Sequence, residues 1–153
     1  MKFQFEVLRV TRNNILKQLE GLSDEQLNVI PDGFNNNIIW NVAHVVATSQ
    51  LLIYGLSGVE FTIPKSIIDA NRKGSKPDAP YSAELIQQIK TLAVSTVDQL
   101  EKDYNAGLFK EKAFKKYPTS YGITLENPEN AITFNNVHES MHFETVKLLK
   151  RSL

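Results

Sequence analysis

Hydrophobic residues in the first twenty positions recur at three- and four-residue steps, which is typical of the buried face of an amphipathic helix. They are Phe3, Val7, Leu8, Ile15, Leu16 and Leu19. Gly21 then supplies a helix end. Ser23 is followed three residues later by Gln26, the spacing of a capping box, so one short helical turn is predicted before Pro31.

Three further helices follow from the same periodicity. The second is predicted at about 38–56, with Asn37 as its N-cap. The third begins after Ser82 and runs to about residue 104. The fourth extends from about Ala131 to the last few residues. Four such helices predict an all-α fold, a four-helix bundle in which residues 1–153 form a single domain.

Two long links separate these helices. Residues 59–81 carry three prolines and a glycine, with one helical turn predicted at Ser66 to Asn71. Residues 105–130 also read as irregular, and Tyr117, Tyr121 and Ile123 suggest a short extended segment within them. The chain shows no internal repeat, and neither link divides it into halves that could each bury a core.

Composition removes several classes of function. Seventeen basic and seventeen acidic residues give zero net charge, which argues against a nucleic-acid binder, and the lysines at 110, 112, 115 and 116 are interpreted as a solvated face. The absence of cysteine excludes disulfides and thiolate ligands. No stretch reads as a signal peptide or approaches the roughly 18 apolar residues of a membrane span. We therefore expect a cytoplasmic protein without a membrane partner.

The three histidines of the chain all fall on predicted inward faces. His138 and His142 lie four residues apart on the fourth helix, about 6 Å along its axis, so both rings can reach one point. His44 lies on the apolar face of the second helix. Burying three imidazoles without partners is costly, whereas a metal ion satisfies one nitrogen of each. The pattern predicts a metal site, although each histidine alone would be an ordinary core residue.

The segment His138-Glu139-Ser140-Met141-His142 also matches H-E-x-x-H, the zinc-protease signature in which the glutamate is the general base. The extended pattern would need glycine at 145 and histidine at 148, where this chain has Thr145 and Leu148. No room remains for a downstream helix with a further ligand. Glu139 is therefore interpreted as a solvent-facing residue or a neighbour of the ligands rather than a protease base.

Taken together, the segment NNIIWNVAHVV around Trp40 and His44, the long link after it and the final HESMH resemble the DinB/YfiT-like superfamily of metal-dependent bundle proteins. The resemblance covers nearly the whole chain. It implies that His44, His138 and His142 hold the metal, that the bundle has up-down-down-up connectivity with long links between helices 2 and 3 and between helices 3 and 4, and that the protein forms homodimers. Where relatives often carry Gly-Gln after the pair, this chain has Glu144 and Thr145.

Three neutral histidines leave a divalent ion with an open coordination position, the pattern of a catalytic site. Zinc or nickel is expected first, with iron or copper as alternatives. The resemblance implies a thiol-S-transferase that uses a low-molecular-weight thiol on a small-molecule substrate; a metal-dependent hydrolase and a non-catalytic, metal-stabilised bundle or dimer stay open. Asn41, Asn135, Glu139 and Glu144 are the candidates for support of the ligands or for catalysis, and Tyr54 and Tyr81 for the mouth of a pocket.

Overall fold

The computed structural model describes residues 1–153 and is predominantly helical, as predicted. Four helices are long, and two short ones lie between them. The α-helices are α1 (Lys2–Gln18), α2 (Asp24–Asn28), α3 (Ile38–Ser49), α4 (Lys65–Asn71), α5 (Ala83–Asn105) and α6 (Pro128–Arg151). A π-helical segment, Gln50–Gly55, continues α3, and β1 (Tyr117–Pro118) pairs with β2 (Thr124–Leu125) in an antiparallel hairpin.

Side-chain caps fix where the helices begin. Both bonds of the predicted capping box are present, because the Gln26 backbone N–H donates to Ser23 Oγ and the Ser23 N–H donates to Gln26 Oε1. The Asn37 Oδ1 accepts from the Trp40 N–H at 2.8 Å. Ser82 caps α5 in the same way. These polar signals explain why the predicted starts of α2, α3 and α5 agree with the structure.

The last helix begins three residues before the predicted Ala131. Pro128 occupies its first turn, and Asn127 Oδ1 accepts from the Asn130 N–H at 2.7 Å. Proline is well tolerated at the first helical position, where its missing N–H would have no partner in any case. The prediction was wrong here because Pro128 was interpreted as part of the irregular link.

The second predicted helix does not remain α-helical to its end. From Gln50 to Gly55 its hydrogen bonds widen to the π pattern. The buried Gln50 side chain turns away from the helix and makes two bonds to Thr62, at 2.9 Å from its Nε2 to Oγ1 and at 2.8 Å from the Thr62 N–H to its Oε1. This contact fastens the start of the first link to the helix.

Helix α3 lies at the centre of the molecule and packs against α5 and α6, which also pack against α1. All but one of its residues are buried. By length and mean hydropathy of 1.3, the segment Ile38–Gly55 could cross a membrane, contrary to our expectation that no stretch approaches that composition. However, 83% of this window is buried inside the protein, as a core helix surrounded by other helices would be.

Candidate metal centre

His44 is held from two sides on α3. Its ring stacks on Trp40, with centroids 4.6 Å apart and planes 13° from parallel. Its Nδ1 lies 2.7 Å from the backbone carbonyl of Asn71 at the end of α4. Since a carbonyl can only accept, Nδ1 must carry the proton, and the neutral ring has its lone pair on Nε2. That nitrogen is the one available to a ligand, and Thr48 Oγ1 lies 3.3 Å from it.

His142 is oriented by Asn41. The Asn41 Nδ2 donates to Asn36 Oδ1 at 2.9 Å and to the Asn37 carbonyl at 2.8 Å, which leaves its Oδ1 facing His142. The distance from that oxygen to His142 Nδ1 is 2.8 Å. By the same reasoning Nδ1 carries the proton and Nε2 the lone pair. Asn41, one of the residues that the sequence suggested as support for the ligands, thus contacts His142 directly.

The third ring, His138, lacks such a partner. Its Nδ1 is buried and makes no hydrogen bond. The ring centroid lies 4.6 Å from that of His142 and 5.2 Å from that of His44. A buried polar atom without a partner is costly, and an ion bound at this nitrogen would supply the missing contact.

The three histidines together fit a divalent metal ion. Each offers one ring nitrogen, and these nitrogens lie within 4.8 Å of one another. Burial lowers the pKa of His44, and burial together with the neighbouring histidines lowers that of His138 to about 4 and that of His142 to about 3. All three rings are therefore neutral near pH 7, which is the form that coordinates a metal.

The histidines line a cavity of about 830 Å³. One wall comes from α3 and the π segment, and the other from α6 and the hairpin region. The remaining lining residues are Thr48, Leu51, Leu52, Gly55, Leu56, Phe61, Lys73, Lys115, Tyr117, Thr119, Ser120, Tyr121, Phe134 and Met141. The lining contains no acidic side chain. A ligand in this cavity would thus face neutral imidazoles, apolar walls and two lysines.

A family model of the DinB superfamily matches residues 8–146, which include all three histidines and most of every long helix. The chain belongs to the DinB superfamily. No curated protein matches it.

In this DinB-superfamily chain, Glu139 does not face solvent. Its carboxylate is fully buried and accepts from Arg12 Nε and, at 2.7 Å, from Arg12 Nη2. It also accepts from Asn135 Nδ2 at 2.7 Å. Consecutive residues of an α-helix are rotated by about 100° around its axis. Glu139 therefore points into the core, whereas His138, the residue before it, faces the cavity. The carboxylate of Glu139 is thus hydrogen-bonded to Arg12 and Asn135, and Glu139 does not line the cavity.

The other candidates from the sequence do not line the cavity. Asn135 is buried and its Nδ2 donates to Glu139. Glu144 is exposed and paired with Lys147 at 2.6 Å. The Tyr54 hydroxyl donates to Asp103, and the Tyr81 hydroxyl donates to Asn71 Oδ1. Neither tyrosine lines the cavity; Tyr117 and Tyr121 do.

Two important contributions were missed by the sequence reasoning. Arg12 is 1% exposed, and its other donors reach the carbonyls of Val45 and Ala93. A signal for it existed, since position 12 lies in phase with Leu8 and Ile15 on the buried face of α1. The Asn71 carbonyl left no such signal, because any residue type provides a backbone oxygen.

Proposed function

We propose that the protein is a metal-dependent enzyme of the thiol-S-transferase type. His44, His138 and His142 would hold one divalent ion, with zinc or nickel as the first expectation and iron or copper as alternatives. The observation that carries the proposal is the convergence of three neutral imidazoles on a cavity large enough for a small molecule. Three protein ligands leave a coordination position for a further group.

A bound divalent ion lowers the pKa of a thiol or water beside it and stabilises the resulting anion. In the transfer, the thiol loses its proton to solvent, its sulfur forms a bond to an electrophilic carbon, and the leaving group departs with the electron pair. The residues of this chain hold the three rings in one protonation state and surround the reactants with apolar walls. These walls limit the access of water to the nucleophile.

The lack of a carboxylate in the cavity favours a thiol nucleophile over water. Zinc hydrolases of the H-E-x-x-H type use the motif glutamate as a general base, but here Glu139 is bound by Arg12 and turned into the core. A thiol has a pKa of about 8.5 and needs less help to ionise than water does. A metal-dependent hydrolase is therefore the second candidate.

A screen of electrophiles with glutathione, bacillithiol and related thiols tests the proposal. Protein loaded with zinc or nickel is expected to accelerate thiol consumption, and chelated protein or the His142→Ala variant is not. Turnover of an activated ester without thiol would favour the hydrolase. If the protein binds metal but accelerates neither reaction, the remaining alternative is a non-catalytic bundle or dimer stabilised by the ion. A chelator would then lower its melting temperature and dissociate the dimer.

We also infer that the four long helices form a bundle with up-down-down-up connectivity. Side-chain contacts between neighbouring helices indicate which pairs of helices run parallel and which run antiparallel. Asn136 reaches Gln4 and Lys150 reaches Gln18, so α1 and α6 run in the same direction. Arg9 pairs with Asp98, whereas Arg12 reaches back to Ala93, so α1 and α5 run in opposite directions. Asn41 contacts His142 and His44 contacts His138, so α3 and α6 run in opposite directions.

A further inference from the structure

The cavity that carries the histidines has a charge imbalance which metal binding does not explain. Its lining includes Lys73 and Lys115 and no acidic residue. Neither lysine forms an ion pair, whereas the adjacent Lys116 is paired with Glu126 at 2.9 Å. The two ammonium groups are therefore free to bind an anion that enters the cavity.

Both lysines lie on segments that are fastened to the walls of the cavity. The hydroxyl of Ser75, two residues after Lys73, lies 2.8 Å from the carbonyls of both Ala70 and Arg72, which share its one proton, and it accepts from Trp40 Nε1 at 3.3 Å. Trp40 is the residue on which His44 stacks. The backbone of Lys73 is thereby held beside the histidines.

Lys115 is anchored at the C-terminal end of the π segment. Its backbone N–H donates to the carbonyl of Leu56 at 2.7 Å, a bond between the second link and the residue that follows Gly55. Leu56 itself lines the cavity. Lys115 is exposed, as the sequence had suggested for the basic face of residues 110–116, and it is the one lysine of that face that also lines the cavity.

The rest of the lining limits the kind of anion. Leucine, phenylalanine and methionine side chains form much of it, namely Leu51, Leu52, Leu56, Phe61, Phe134 and Met141. Small inorganic anions would leave these surfaces in contact with water. A molecule with an apolar body would cover them and gain about 25 cal/mol for each Å² of apolar surface buried.

From these features we propose that the cavity binds a small molecule that combines an apolar body with a carboxylate, sulfonate or phosphate, the anionic group pairing with Lys73 or Lys115, both exposed residues of the lining. The inference rests on the proposed function only in that it takes the substrate of the metal-dependent reaction to be such an anionic molecule with an apolar body. The lysines themselves act without the ion, and this allows the two ideas to be tested separately.

Calorimetric titration with 4-phenylbutyrate and its neutral amide measures the contribution of the negative charge. Metal-free protein is used first, because a bound ion would itself attract a carboxylate. The carboxylate is expected to bind roughly three- to tenfold more tightly than the amide, and the difference should shrink as salt is added. Glutathione, which is anionic but mostly polar, should bind more weakly than phenylbutyrate.

The Lys73→Gln/Lys115→Gln double variant should bind both probes alike, whereas Lys112→Gln, an exposed lysine outside the cavity, should retain the preference. Equal binding of carboxylate and amide by the wild type would overturn the inference, as would a loss of preference in Lys112→Gln as large as in the double variant. Zinc content of the same samples is measured independently. Lysine-dependent binding by protein that takes up no metal would leave this inference standing and remove the metal-dependent function; metal uptake without lysine dependence would do the reverse.

Discussion

At the scale of single residues, the orientation of a histidine ring that binds a metal depends on the group hydrogen-bonded to its second nitrogen. Asn41 accepts from His142 Nδ1 and is itself held by Asn36 and the Asn37 carbonyl. Loss of such an outer contact commonly weakens metal binding by about 10- to 100-fold. A substitution of Asn41 therefore tests the proposed metal centre without removing any of the three histidines.

We predict that Asn41→Ala weakens zinc binding by roughly 10- to 100-fold, whereas Asn41→Asp, which still offers an acceptor to His142, largely retains it. Competition with a chromophoric chelator measures both affinities. Single alanine variants of His44, His138 and His142 should each lose the metal in elemental analysis. Full retention of metal in all three would refute the site, and loss in only the two variants on α6 would remove His44 from it.

A second prediction concerns Glu139. Replacement by glutamine removes the charge that balances buried Arg12, and breaking such a pair costs about 3–5 kcal/mol. Glu139→Gln should therefore lower the free energy of unfolding in urea by an amount of this order while the three ligands stay in place. Glu144→Gln, at an exposed position, should change it by less than about 0.5 kcal/mol.

A protease mechanism requires the opposite result. In that case Glu139→Gln would abolish peptide hydrolysis with little loss of stability. The double replacement Arg12→Met/Glu139→Leu distinguishes the two roles further, because removing both charges together restores much of the stability lost with one. A stable but inactive Glu139→Gln protein would contradict the structural role.

At the scale of elements, the caps made most of the helices predictable. Ser23, Asn37 and Ser82 each accept from the backbone N–H three residues on, so a local polar signal marked each start. The π segment had no such local signal. Its first residue, Gln50, bonds Thr62, twelve residues away, and only the folded chain brings these two residues together.

We predict that Gln50→Ala lowers the free energy of unfolding by about 1–2 kcal/mol, because it removes the two hydrogen bonds that the buried Gln50 side chain makes to Thr62. Metal content should be unchanged, since His44 precedes the segment. Binding of an apolar probe in the cavity should weaken, because Phe61 adjoins Thr62 and lines the wall. Urea unfolding and calorimetry measure the two effects. Gln87→Ala, at an exposed position of α5, is the control, and an equal loss there would contradict the prediction.

At the scale of the whole molecule, the convergence of the three histidines was predictable, but their surroundings were not. Helical periodicity and the family resemblance both selected the three histidines, and the structure brings their rings together. The cavity lining comes from four separate segments, including both links, whose course no periodic pattern specifies. Periodicity also could not show that Glu139 is buried against Arg12 rather than facing solvent, because that contact joins residues 127 positions apart.

The buried histidines also predict how the stability of the metal-free protein depends on pH. Unfolded histidines have a pKa of about 6.5. Burial, followed by the neighbouring positive charges, lowers the pKa of His138 to about 4 and that of His142 to about 3. Below pH 6.5 the unfolded chain then binds more protons than the native one, so the free energy of unfolding falls as the pH is lowered from 7 to 5.

Urea midpoints of chelator-treated protein between pH 7 and pH 5 measure this effect. We expect a shallower decline in His142→Gln, because one of the groups that resists protonation is gone. Lys112→Gln serves as a control with an unchanged slope. Parallel curves for wild type and His142→Gln would show that His142 does not contribute.

The separation of paired residues along the chain has a consequence for biosynthesis. Asn41 and His142 lie 101 positions apart, and Arg12 and Glu139 lie 127 apart. A growing polypeptide that has not yet produced α6 holds one ligand of the three and an arginine with no counter-charge. Closure of the core must therefore await translation of α6, and ribosome-bound chains arrested before it should remain protease-sensitive and unable to retain zinc.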